Sequence, residues 1–215
     1  MLAGKHRVPF IYTLVSRIIS VCFHPLFIPL YVVFFIAYIH PTAFTGFSMM
    51  QKRQVMLIIA LNVVAFPLLT VLLLKAVGFI SSLYMNTSRD RIIPYIACGI
   101  FFFWAYTVFR QQSGYPDLLT SFLFGIFLAS SAGLIANIYF KISMHAIGMG
   151  GLVGFMLIIF RSGSMLMTWP LALAILLTGF VCTSRLIISD HTQKDIYTGL
   201  VVGLLTQFAA ALYIL

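Results

Sequence analysis

Apolar residues fill seven long stretches of this chain, at roughly 17–40, 54–78, 92–110, 117–140, 143–160, 165–188 and 195–215, with polar residues gathered between them. A membrane core about 30 Å thick takes about 20 apolar residues of helix to cross, and each stretch is of that order. The stretches are apolar on every side and lack an alternation of period two, which predicts helices and argues against a β-barrel. The expected fold class is an all-α integral membrane protein, a polytopic bundle of six or seven transmembrane helices in one domain over residues 1–215. The count turns on the first stretch. His24-Pro25 and Pro29 interrupt it, so it either spans with a kink or enters and leaves on one side. It runs past residue 30 without a small-residue cleavage site, unlike a cleaved signal.

With seven spans, the loops near 79–91, 141–143 and 186–195 fall on the side of the N-terminus, and those near 41–53, 110–116 and 161–164 on the other. The first side gathers Arg89, Arg91, Lys141, Arg185, Lys194, His145, His191 and every acid except Asp117. Setting aside residues suspected of chemistry leaves Lys5, Arg7, Arg17 and Lys75 against Lys52, Arg53, Arg110 and Arg161. That balance assigns neither side to the cytoplasm.

Composition narrows the function classes. Apolar residues make up 62% of the chain and charged ones 8%, against about 45–50% and 25% in soluble domains, which excludes a soluble enzyme, a disordered linker and a coiled coil. Thirteen Lys and Arg oppose four Asp and no Glu, for a net charge of +9. The cations are scattered singly among apolar segments, so no nucleic-acid partner is expected. Membrane lipids and a phosphate-bearing substrate remain as partners for them. Cys22, Cys98 and Cys182 lie far apart, which supports neither a zinc site nor a disulfide framework.

The densest polar chemistry is Ser184-Arg185-Leu-Ile-Ile-Ser-Asp-His191-Thr-Gln-Lys-Asp195. His191 and Asp195 are four apart at the start of the last helix and share a face. A carboxylate there can hold one ring nitrogen and leave the other as a lone-pair nucleophile. Arg185, ending the preceding helix, can return across the short loop to clamp an anion. Lys141-Ile-Ser143-Met-His145 opens the fifth candidate helix. Its free backbone N–H groups attract phosphate, Ser143 adds a hydroxyl, and His145 is a second titratable group facing the same loop.

These residues resemble the type-2 phosphatidic acid phosphatase superfamily, membrane lipid phosphate phosphatases related to vanadium haloperoxidases. That family's third motif is Ser-Arg, five residues, His, three residues, Asp, which Ser184, Arg185, His191 and Asp195 match without a gap. Its second motif, Pro-Ser-Gly-His, is met by Ile142-Ser143-Met144-His145, which keeps Ser and His. Its first, Lys, six residues, Arg-Pro, corresponds to Asn86 through Ile93-Pro94, with Asn and Ile at the basic positions and Arg89 and Arg91 nearby. The resemblance covers about residues 86–203. It implies that His191 attacks phosphorus to form a phosphohistidine, Asp195 orients its ring, and His145 protonates the leaving oxygen and then activates water. Arg185, with Arg89, Arg91 or Lys141, would neutralise the phosphoryl oxygens, with Ser143 and Ser184 also at the phosphate. It implies neither metal nor cofactor, a lipid phosphate or polyprenyl pyrophosphate substrate, and a site on the extracytoplasmic face of a bacterial inner membrane. Transfer of the phospho group to a lipid acceptor is the related alternative. A lipid or ion transporter relaying protons through His191 and Asp195 is the alternative of another class.

One expectation rests on spacing. His191, Asp195, Gly199 and Gly203 recur every four residues, and the fifth helix carries Gly148, Gly150, Gly151 and Gly154. Small residues permit close approach in lipid, so these two helices are expected to cross closely and bring His145 and His191 to one phosphate. Asn62, Asn137 and Gln207 are expected to hydrogen-bond to neighbouring helices, and His24 and His40, each before a proline, to mark helix breaks.

Overall fold

The computed structural model describes residues 9–80, 88–161, 165–188 and 191–215, with side chains from residue 90 in the second segment and 166 in the third. Among the described residues there is no strand, and six helices are long and apolar enough to cross a membrane. The chain is an all-α polytopic membrane protein.

The interruption expected in the first stretch divides it into α1 (Phe10–Cys22) and α2 (Ile28–Phe34), the latter ending in a π-helical turn over Phe35–Ile39. Pro25 has no N–H to continue α1, whereas Pro29 sits in the first turn of α2, where none is needed. The connection closes through Phe27 N–H to the His24 carbonyl at 2.8 Å and Tyr31 O–H to the Cys22 carbonyl at 2.7 Å. The next span, Met49–Ala76, comprises α3 (Met49–Ile59), a π-helical turn at Ala60–Ala65 and α4 (Phe66–Ala76). Its wide turn precedes Pro67, whose ring a regular helix would drive against a carbonyl one turn back. Asn62 in that turn donates to the Ile58 carbonyl of its own helix at 2.8 Å, not to a neighbouring helix as expected.

The remaining spans are α5 (Ser88–Gln111), α6 (Asp117–Tyr139), α7 (Met144–Arg161), α8 (Thr168–Ile188) and α9 (Gln193–Ile214). In the most apolar window of α6 and of α7, 50% and 56% of residues are buried, against 17% in α8, so α6 and α7 form the centre. Trp169, Leu173, Leu176 and Phe180 form an exposed ridge on α8, as expected of a lipid-facing helix.

The closest seam joins α7 to α9, as the glycine spacing predicts. A Cβ on Gly150 would run into the Leu200 backbone, and one on Gly203 into the Ile147 carbonyl. At Gly199 it would lie 2.8 Å from Ala146 Cβ, and at Gly154 3.0 Å from the Leu204 carbonyl oxygen. Gly148 serves another partner, since Pro25 of the α1–α2 turn approaches it to 3.4 Å. Helices gain little from hydrophobicity against one another in lipid, so backbone approach through glycine is what fixes this pair. The two run parallel with their starts side by side, and Ser143 N–H donates to the Asp195 carbonyl at 3.2 Å.

Candidate active site

The starts of α7 and α9, the end of α8 and the α1–α2 turn meet at one end of the bundle. Each brings a polar group there for a local reason. Asp195 belongs to a capping box, its carboxylate accepting the Thr192 N–H at 2.9 Å while its own N–H donates to the Thr192 hydroxyl at 3.3 Å. The same carboxylate stands 3.5 Å from His191 Nδ1. That contact is too long and too poorly aligned for a good hydrogen bond.

His145, in the first turn of α7, lies 3.0 Å from the Ser20 carbonyl through Nε2. A carbonyl only accepts, so Nε2 carries the proton and Nδ1 holds the lone pair. Arg185, one turn from the end of α8, reaches the Ser20 hydroxyl at 3.5 Å. The His24 ring meets the His145 ring edge to face, with centroids 5.3 Å apart.

Together these groups border a cavity of about 220 Å³ that continues into the bundle. Its polar wall holds His24, His145, His191, Arg91 and Arg185. Most of the rest is apolar, between α2, α4, α5, α6, α7 and α9, and includes Ile28, Val71, Phe102, Phe122, Ile126 and Leu152, with Tyr95, Ser130 and Gln207 as its polar exceptions. From Arg91 to Phe102 along α5, both on the wall, is about 16 Å at 1.5 Å per residue.

Charge sets the protonation of the nucleophile candidate. Burial above all, then the cations Arg185 and Lys141, push His191 down to about 4, outweighing its contact with Asp195. At neutral pH the ring is uncharged and has a lone pair to give. Burial and Arg185 likewise lower His24.

No family model, curated protein or solved structure matches this chain. The expected site residues are therefore placed by geometry. His191, His145, Arg185 and Arg91 line the cavity together, with Asp195 beside His191. Lys141 acts on His191 by charge without lining the cavity. Ser143 and Ser184 are buried off the cavity wall, Ser143 accepting the Ala146 N–H at 3.4 Å and Ser184 donating to the Phe180 carbonyl at 2.8 Å. The Arg89 side chain lies outside the described residues. Among the described residues no group of His, Cys and Asp is arranged to hold a metal.

Sequence reasoning missed His24, Ser20, Tyr95 and Gln207. His24 reads as a helix break, and it is one, but the break falls at the cavity. Gln207 had a usable signal, since it extends the row His191, Asp195, Gly199, Gly203 by a further four residues.

Proposed function

We propose that the protein is a membrane-embedded lipid phosphate or polyprenyl pyrophosphate phosphatase acting through a phosphohistidine at His191. The observation that carries this reading is an uncharged His191 facing Arg185 and Arg91 at the polar mouth of a cavity whose remainder is mostly apolar and lies among membrane-spanning helices. Such a cavity suits a molecule with an anionic head and a hydrocarbon body. Arg185 and Arg91 neutralise the phosphoryl oxygens as charge builds on them. The His191 Nε2 lone pair forms the P–N bond while the P–O bond to the lipid breaks. The leaving oxygen takes its proton from His145, which enters the step protonated at Nδ1 with Nε2 still donating to Ser20. Water then attacks phosphorus, His145 Nδ1 recovers a proton from it, the P–N bond breaks, and phosphate leaves with His191 restored. The motif spacing from Ser184 to Asp195 supports the same assignment, as does the meeting of the two histidine-bearing helices along the glycine seam.

The test is phosphate release by the purified protein in nanodiscs from phosphatidic acid, phosphatidylglycerol phosphate and a polyprenyl pyrophosphate. Turnover is expected to survive EDTA, to fall with vanadate and to vanish in His191→Ala. Unchanged release by that variant overturns the reading. A cysteine at the exposed Gln193, expected to label from outside in right-side-out sealed vesicles and not in inverted ones, checks the extracytoplasmic placement of the site.

A further inference from the structure

Two polar groups sit inside the apolar part of the cavity without partners. Gln207 is 1% exposed, and neither its amide nitrogen nor its amide oxygen has a hydrogen bond within the protein. Tyr95 is 6% exposed, and its hydroxyl is likewise unbonded. Both line the cavity wall. Their positions are built, not incidental. The Gln207 amide lies directly over Gly125 of α6, where any side chain would collide with it, and 3.8 Å from where a Cβ on Gly151 would stand. The Tyr95 ring rests on Gly133, where a Cβ would come within 2.9 Å of the ring. Glycines on α6 thus make room for both side chains.

A buried amide and phenol left unpaired are costly in an apolar setting, and a polar ligand atom that pairs with them recovers that cost. Gln207 stands at the level of Gly151, six residues or about 9 Å along α7 from His145. In a glycerolipid phosphate the acyl ester carbonyls lie a few bonds from phosphorus, at that order of depth. A polyprenyl chain offers no hydrogen-bonding atom there. We infer that Gln207, assisted by Tyr95, is a specificity-determining residue that donates to the acyl ester carbonyl of a glycerolipid phosphate, making that class, and not a polyprenyl phosphate, the preferred substrate. This rests on the phosphatase reading for the head of the molecule, and adds the chemistry of its linkage.

Binding to the full chain in nanodiscs, followed by native mass spectrometry, separates the two claims. The probes are a diester phosphatidic acid, the diether analogue with the same chains, and a polyprenyl monophosphate. The diester is expected to bind about tenfold or more tighter than the diether. Gln207→Leu should erase that margin by weakening the diester alone, and Tyr95→Phe should erase part of it. Equal affinity for diester and diether in the unsubstituted protein overturns the inference, as does a margin that persists in Gln207→Leu, or tighter binding of the polyprenyl phosphate. If Gln207→Leu does not fold, the ester–ether comparison on the unsubstituted protein decides alone. Phosphate release measured alongside keeps the failures apart. An ester margin without turnover overturns only the phosphatase reading, whereas turnover without an ester margin overturns only the role of Gln207.

Discussion

The two ends of the bundle use the same residue types to opposite effect. At the end where α7 and α9 begin, His24, His145, His191, Arg91 and Arg185 crowd a cavity. At the other end, His40 accepts the Thr42 and Ala43 N–H groups at 3.3 and 3.1 Å and so closes a turn. Arg110 there faces Asp117 at 3.8 Å with both side chains largely in solvent. His24 and His40 make the point most directly, since each precedes a proline and each ends a helix. Both accept a backbone N–H two residues on, His24 from Leu26 at 3.4 Å as His40 does from Thr42, but only His24 also falls against another histidine and the charge of an arginine. Burial and neighbours give a histidine its chemistry, and local sequence does not.

Paired substitutions test that contrast. His191→Gln should cut phosphate release at least about a thousandfold, because it removes the nucleophile, while His40→Gln should leave the rate within about twofold; a steady-state assay on both variants reads this directly. Arg185→Ala is expected to cost about a hundredfold in kcat/KM, with partial recovery in Arg185→Lys, since a point charge replaces a planar fork. Arg110→Ala should change neither rate nor thermal stability measurably, as exposed pairs contribute about 0–1 kcal/mol. His24→Ala should lower kcat about tenfold by freeing the ring of His145. If His24→Ala leaves the rate as little changed as His40→Gln, the contrast between the two breaks is only architectural.

The smallest effect is in pH. His191 titrates at about 4 in the fold against an ordinary 6.5. As pH falls from 6.5 towards 4, the unfolded chain takes up the proton first, so the ring's contribution to stability is whole above that window and is lost within it. The acid limb of kcat/KM attributable to this group should accordingly lie near 4, with stability in detergent already declining above it. A limb at 6.5 would mean that the ring is neither desolvated nor close to Arg185.

What was legible beforehand followed from periodicity. The six long spans and the glycine seam between α7 and α9 are consequences of helical spacing. The expected shared helical face of His191 and Asp195 is not, because His191 precedes the Thr192 cap of α9 and meets Asp195 from outside the helix. Partner choice was not legible. Ser143 and Ser184 fit a phosphate-binding motif, yet both hydrogen-bond within or beside their own helices. Asn62 and Gln207 look alike in sequence, yet one bonds back to its own turn and the other faces a cavity. Such choices depend on which helix lies opposite, and spacing along one chain does not contain that.

The bond from His145 to the Ser20 carbonyl has a consequence for the working cycle. Nε2 keeps its hydrogen whether the imidazole is neutral or charged, so a proton can arrive at and depart from Nδ1 without that tether letting go. The first helix can stay moored to the acid–base group through every turnover, and the ring need not find its place anew each time.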